Sequence, residues 1–212
     1  MELIDPDIQH YAESLTSPED ELLQKVSEYT YSQHAGHQML SGHLQGKVLE
    51  MISCMIRPRR ILEIGTFTGY SALCLAKGLT DDGLLHTIEI KEAESVKAKT
   101  FFQQSIYADK IILHTGNALS IIPELVETWD LVFIDADKPA YIQYFNLVFP
   151  HVRKNGFILA DNIFFHGHSL KENPDGNNAK GIKLFNEFAK NNPNIEKVVL
   201  TIRDGLYLMK KK

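Results

Sequence analysis

The chain has 212 residues, of which 44% are hydrophobic and 23% charged, and a net charge of −5 at neutral pH. That length and balance suit one α/β domain with a full core, alone or with an N-terminal extension, and exclude a chain dominated by disorder. A mildly acidic chain has no general attraction for phosphate backbones, which disfavours nucleic acid as a partner, and no apolar run reaches the roughly 18 residues that span a bilayer.

Residues 1–9 are acidic and lack the basic-then-apolar pattern of a signal peptide. Cys54 and Cys74 both fall in helical patterns. They read as buried thiols of a reducing compartment, not as a disulfide or zinc site, so the cytoplasm is the expected location.

Up to about Pro58 the sequence reads as helix. Ser17-Pro18-Glu19-Asp20 offers a cap, a proline at the first position and acids in the first turn. Leu44, Val48, Met51, Ile52 and Met55 recur at helical spacing and predict a second helix over 40–55. The texture then changes. Short apolar runs at 61–65, 84–90, 111–114, 130–135 and 157–161 predict strands, and amphipathic stretches at 70–79, 92–107, 118–127 and 139–149 predict the helices between them. This alternation implies a doubly wound, mostly parallel sheet covered on both faces. Runs at 197–202 and 206–210 flank Arg203-Asp204-Gly205, a hairpin signal, so the seven-stranded sheet is expected to end in antiparallel pairing. Residues 167–181, rich in Asn, Gly, Pro and charge, read as a long loop. Lys210-Lys211-Lys212 reads as a frayed, solvated tail. The expected organisation is a helical extension over 1–57 packed on a domain over 58–212, the two forming one unit.

The first strand runs into Glu63-Ile64-Gly65-Thr66-Phe67-Thr68-Gly69-Tyr70-Ser71. Gly65 would let the backbone approach a ligand, and Gly69 would permit tight helix entry. The spacing differs from the G-x-G-x-x-G of dinucleotide folds. Glu63 beside the loop would repel a diphosphate, whereas a cationic amino acid head such as that of S-adenosylmethionine (SAM) would suit it. Glu89, at the tip of the second strand, can accept both hydroxyls of a ribose. After the third strand Asn117 can meet an adenine amino group or cap a helix, with Ala118 against the ring. A plain structural turn with a solvated Glu89 is the alternative.

The fourth strand ends Asp135-Ala136-Asp137-Lys138 and the fifth Asp161-Asn162. If the two are neighbours, Asp135, Asp161 and Asn162 converge. Three oxygen donors without thiolate or imidazole suit a hard cation such as magnesium, manganese or calcium. Such acids can equally cap helices or bind water. A bound cation would lower a phenol's pKa from near ~10. Lys138, three residues past Asp135, could accept the proton if its own pKa were depressed.

These motifs strongly resemble those of the cation-dependent O-methyltransferases, the caffeoyl-CoA and catechol type, from about Met39 onward. The resemblance implies a Rossmann-like SAM-binding fold. It implies cofactor contacts from Ser41, Glu63, Gly65, Thr66, Ser71, Glu89, Asn117, Ala118, Asp135, Asp137 and Tyr144. It implies a divalent cation on Asp135, Asp161 and Asn162, with catalysis by Lys138 and Asp135. It also implies a small phenolic substrate with two adjacent hydroxyls, and a homodimer. Phe164-Phe165-His166 stands where the family usually has Leu-Trp-Asn. Phe165 and His166 are therefore the expected substrate wall, with substrate identity open. His34, His37 and His43, like His166 and His168, read as surface or pocket residues before a second metal site. Methylation of a hydroxylated tRNA base, a non-catalytic nucleoside binder and a Rossmann dehydrogenase are the competing functions.

Overall fold

The computed structural model describes residues 5–212; of the opening stretch read for a signal peptide, residues 1–4 lie outside the described residues. Three helices come first: α1 (Pro6–Ser14), α2 (Glu21–Gln33) and α3 (Gly42–Ile56). Asp20 caps α2, its carboxylate accepting the Leu23 N–H at 2.9 Å. The cap therefore lies three residues after the Ser17 expected from the proline, and the helix begins at Glu21. The fold then alternates through β1 (Arg60–Ile64), α4 (Tyr70–Ala76), β2 (Leu84–Glu89), α5 (Glu92–Phe102), β3 (Ile111–Thr115), α6 (Ala118–Ile121), β4 (Trp129–Ile134), α7 (Tyr141–Val148) and β5 (Val152–Ala160). It closes with α8 (Asn177–Asn191), β6 (Ile195–Leu200) and β7 (Leu206–Lys211).

The seven strands form one sheet in the order β3-β2-β1-β4-β5-β7-β6. The first five are parallel, and β7 runs antiparallel to both β5 and β6. The doubly wound sheet with its antiparallel hairpin is thus the architecture expected from the alternation.

Successive residues of the central strands point to opposite faces. Ile61, Leu85, Leu131, Phe133 and Leu159 face a core shared with Leu23, Val26, Leu49 and Ile52 of the N-terminal helices. Leu62, Ile64, Val132, Ile134 and Ile158 face the other core, filled by Tyr141, Phe145, Ile182 and Phe185. Strands buried on both faces read as unbroken apolar runs, which is why their pattern was legible.

Three local readings change. Residues 177–181, read as the end of a loop, form the first turn of α8, whose buried stripe is Ala179, Ile182, Phe185 and Ala189. Cys74 is buried but Cys54 is exposed on α3. The terminal lysines are not frayed: Lys211 Nζ donates to the carbonyls of Phe149 and Val152 at 2.7 Å, and Lys210 pairs with Glu196 at 2.6 Å. Among the described residues no helix is long and apolar enough to cross a membrane.

Candidate active site

The carboxyl ends of the five parallel strands open into one cavity of about 700 Å³. It lies where strand order reverses between β1 and β4, the crevice in which open α/β sheets hold ligands.

One half of the cavity is built from backbone. Gly65 sits at φ +104, and a Cβ there would lie 2.1 Å from the carbonyl oxygen of Asp135. Only glycine lets the ends of β1 and β4 come this close. The Phe67 N–H donates to Glu89 Oε2 at 2.8 Å and the Lys91 N–H to Glu89 Oε1 at 2.9 Å. Glu89 thus ties the loop after β1 to the end of β2. Each oxygen keeps a lone pair for a further donor. Asn117 caps α6 by accepting the Leu119 N–H at 2.9 Å and also borders the cavity beside Ala118.

Glu63 is placed differently from the expectation of direct ligand contact. It is fully buried behind the loop and is not part of the cavity wall. Its Oε2 accepts from the Thr87 hydroxyl, which is also paired with Thr66. Its Oε1 has no hydrogen-bond partner among the described residues. Burial, with the like charges of Asp135 and Glu89, pushes its pKa up to about 8 against the nearby Ser71 and Thr87 hydroxyls. The carboxylate therefore acts on the loop through two threonines.

The other half is built from side chains. β4 and β5 are neighbours in register, Ile134 opposite Ala160, so Asp135 and Asp161 follow side by side. Lys138 Nζ donates to Asp135 Oδ1 at 2.7 Å and to Tyr141 Oη at 2.9 Å, and Tyr141 Oη donates to the Asp161 carbonyl at 3.2 Å. Asp161 is buried behind the wall, with its Oδ1 on the Asn162 N–H at 2.7 Å and its Oδ2 on Gln45 Nε2 at 2.6 Å. Burial first, then Asp135, push its pKa up to about 7 against Lys138, Gln45 and the Asn162 N–H. Burial also works to depress Lys138, but the negative neighbours outweigh it and the ammonium is held well above its ordinary range. The depressed lysine expected for a ready base is not found, because Asp135 lies against the ammonium and Asp161 adds to the same negative field.

Among the described residues no three His, Cys, Asp or Glu side chains converge as a metal cluster. A cation here would need the Asn162 amide as its third donor. The donor set fits: it is all oxygen, and buried Asp161, its pKa raised by burial and by the charge of half-buried Asp135, stands where positive charge is in deficit.

The loop after β5 closes the wall. Asn162, Phe165 and His166 lie at φ +56, +46 and +54, a conformation that costs non-glycine residues about 1–3 kcal/mol each. The turn between β6 and β7 holds them. The Asp204 carbonyl accepts the Phe164 N–H at 3.0 Å, and Asp204 Oδ1 accepts the His166 N–H at 2.7 Å. Arg203 donates to the Leu40 carbonyl and so ties this turn to the segment before α3. Arg203 and Asp204 both line the cavity, although their sequence signal is only that of a hairpin.

Ser41, Gly65, Thr66, Ser71, Glu89, Asn117, Ala118, Asp135, Asp137, Lys138, Tyr144, Asn162, Phe165 and His166 thus meet at one cavity, while Glu63 and Asp161 stand behind its wall. His34 pairs instead with Glu94 at 2.6 Å, and His43 with the Ser17 carbonyl at 2.8 Å.

A doubly wound sheet with an acid at the tip of β2 and acids after β4 and β5, all around one crevice, is the architecture of a nucleotide- or nucleoside-binding α/β protein. The O-methyltransferase family profile matches residues 13–212. A catechol O-methyltransferase of Niastella koreensis is 31% identical over 198 residues, covering 91% of this chain and 89% of that protein. Caffeoyl-CoA O-methyltransferase 1 of Eucalyptus globulus is 31% identical over 216 residues, covering 96% and 87%. Among solved structures, the O-methyltransferase TomG of Streptomyces achromogenes, in complex with SAM, superposes with a TM-score of 0.90 at 28% identity, covering 97% of this chain and 96% of that one. The SAH-bound methyltransferase of Podospora anserina gives 0.89 at 25%, covering 97% and 94%. The chain belongs to the O-methyltransferase family.

Proposed function

We propose that the protein transfers the methyl group of SAM to one hydroxyl of a small aromatic carrying two adjacent hydroxyls, with a divalent cation held by Asp135, Asp161 and Asn162. The observation that carries this reading is Asp135 at the cavity rim with Lys138 in contact and Asp161 buried just behind it, in a cavity whose other side offers Glu89. SAM-bound and SAH-bound relatives of the same fold support the cofactor, and catechol and caffeoyl-CoA methyltransferases among the relatives support the substrate class.

In this reading Glu89 accepts both ribose hydroxyls, Asn117 and Ala118 bound the adenine, and Ser41, Gly65, Thr66 and Ser71 surround the amino acid end. Asp137 and Tyr144 complete the cofactor's contacts. Glu63 acts through Thr87 and Thr66 and not by touch. When bound, the cation supplies positive charge to both carboxylates and acidifies a coordinated hydroxyl. Lys138 would act as base only in its neutral form: with Asp135 neutralised its ammonium would release a proton to solvent, and the free amine would then accept the substrate hydroxyl's proton. Tyr141 holds it in place. Phe165 and His166 wall the ring, so that attack on the sulfonium methyl is a matter of alignment.

We take residues 1–57 as an extension integral to a methyltransferase domain over 58–212. A homodimer belongs to the same reading; Met51 and Met55 expose an apolar stripe on α3, and light scattering checks it. The deciding experiment is methyl transfer from SAM to caffeate, caffeoyl-CoA, simple catechols and flavonoids, with magnesium and with chelator. Turnover of at least one catechol that disappears with chelator is the expected result. Turnover untouched by chelator would remove the cation, and no turnover on any diol would remove the substrate class.

A further inference from the structure

Gln45 belongs to α3, in the N-terminal extension, yet its amide reaches the end of β5. It is fully buried, and Nε2 donates to Asp161 Oδ2 at 2.6 Å across 116 residues of sequence. The other carboxylate oxygen is already fixed by the Asn162 N–H at 2.7 Å. The Asp161 carboxylate is thus held by one donor on each oxygen.

Two features separate this from incidental packing. The first is that Gln45 Oε1 is buried with no hydrogen-bond partner among the described residues. An unsatisfied buried acceptor is unfavourable, and an apolar side chain would fill the same volume without it. The amide is explained by what its N–H group does for Asp161. The second is the precision of the approach. The neighbouring Gly46 lies so close to α4 that a Cβ would stand 2.5 Å from the Tyr70 ring. Further along, Ser53 Oγ donates to the Leu75 carbonyl at 2.6 Å. α3 is seated on α4 at two points, and that seating sets where Gln45 arrives.

We infer that Gln45 is a positioning residue that orients Asp161 as a cation ligand, so that the N-terminal extension supplies part of the metal site. The inference rests on the cation reading above. Groups that hydrogen-bond a ligand from outside commonly govern metal affinity by 10–100-fold. The test is Gln45→Met, which keeps the side chain's length and removes the donor. Manganese affinity is measured by electron paramagnetic resonance in the presence of SAH, with SAH affinity and thermal midpoint alongside.

The expected result is manganese binding weakened about 10–100-fold, with SAH affinity within about twofold and the fold retained. A merely structural glutamine would move the midpoint and leave manganese affinity alone, and that result overturns the inference. If the wild type binds no manganese, the cation reading falls and this inference with it; if the wild type binds and the variant matches it, only the inference falls. Should Gln45→Met fail to fold, the wild-type protein decides. The Gln45 side-chain amide resonances, followed by nuclear magnetic resonance, are expected to shift on magnesium addition, and unchanged resonances at saturation overturn the role.

Discussion

The two halves of the cavity are built on different principles. On the β1–β3 side, backbone N–H groups do the positioning: Phe67 and Lys91 aim the Glu89 carboxylate, and Gly65 admits the approach of β4. On the β4–β5 side, side chains do most of it: Lys138, steadied by Tyr141, holds Asp135, and Gln45 shares Asp161 with the Asn162 N–H. A backbone frame tolerates neutral changes at its edge, whereas a cluster of buried charges fails when one member is removed. On the proposed function, cofactor capture and proton chemistry should therefore be separable by mutation.

The sharpest break is Asp161→Ala. Cation affinity is expected to fall by more than the 10–100-fold set by outer partners, with methyl transfer abolished and SAM affinity within about twofold, as calorimetry would record. Equal loss of both would merge the halves and defeat the comparison. Next is Lys138→Ala, expected to lower kcat about 10²–10⁴-fold at neutral pH. Turnover should recover as pH approaches the phenol's own pKa of about 10. A defect of constant size across the pH–rate profile would remove the base role.

Glu89→Gln probes the other half and is smaller. One charged hydrogen-bond partner is worth about 1.5–3 kcal/mol, so SAM affinity should drop by about 10–100-fold while manganese binding stays put. The smallest effect concerns Glu63. Its folded pKa stands at about 8 against 4.5, so the folded state binds the proton more tightly than the unfolded chain. Stability from this group is full below about pH 4.5 and lost as pH rises toward 8. Relative to Glu63→Gln, the wild type should therefore lose thermal stability across that window; parallel curves would show that the carboxylate ionises freely in the fold.

The backbone half was legible because its signals are local. Two glycines in a strand-to-helix turn and an acid at the next strand's tip need only correct strand assignment. The Asp135 and Asp161-Asn162 pairs were legible as soon as β4 and β5 were taken as neighbours. What escaped was long-range. Nothing local marks Gln45 as a partner of Asp161, since helical periodicity says only that position 45 shares a face with Ser41 and Leu49. Arg203 and Asp204 carried the signal of a turn, and their place in the cavity follows from β7 lying between β5 and β6. α8 was hidden because its first turn, Asn177 to Gly181, is composed like a loop; its apolar stripe appears only afterwards. The convergence of the two acids was legible, but not that their charge would outweigh burial at Lys138, because that balance depends on distances spacing does not report.

The tie from Arg203 to the Leu40 carbonyl has a consequence for synthesis. The loop at residues 65–71 leaves the ribosome well before the turn at 203–205 that lines the same cavity. A nascent chain that has paired its first five strands still lacks Arg203 and Asp204 from the cavity wall. On the proposed function, cofactor capture should therefore wait for this turn, and a ribosome-stalled chain ending before residue 203 should bind SAM weakly however well its first five strands have paired.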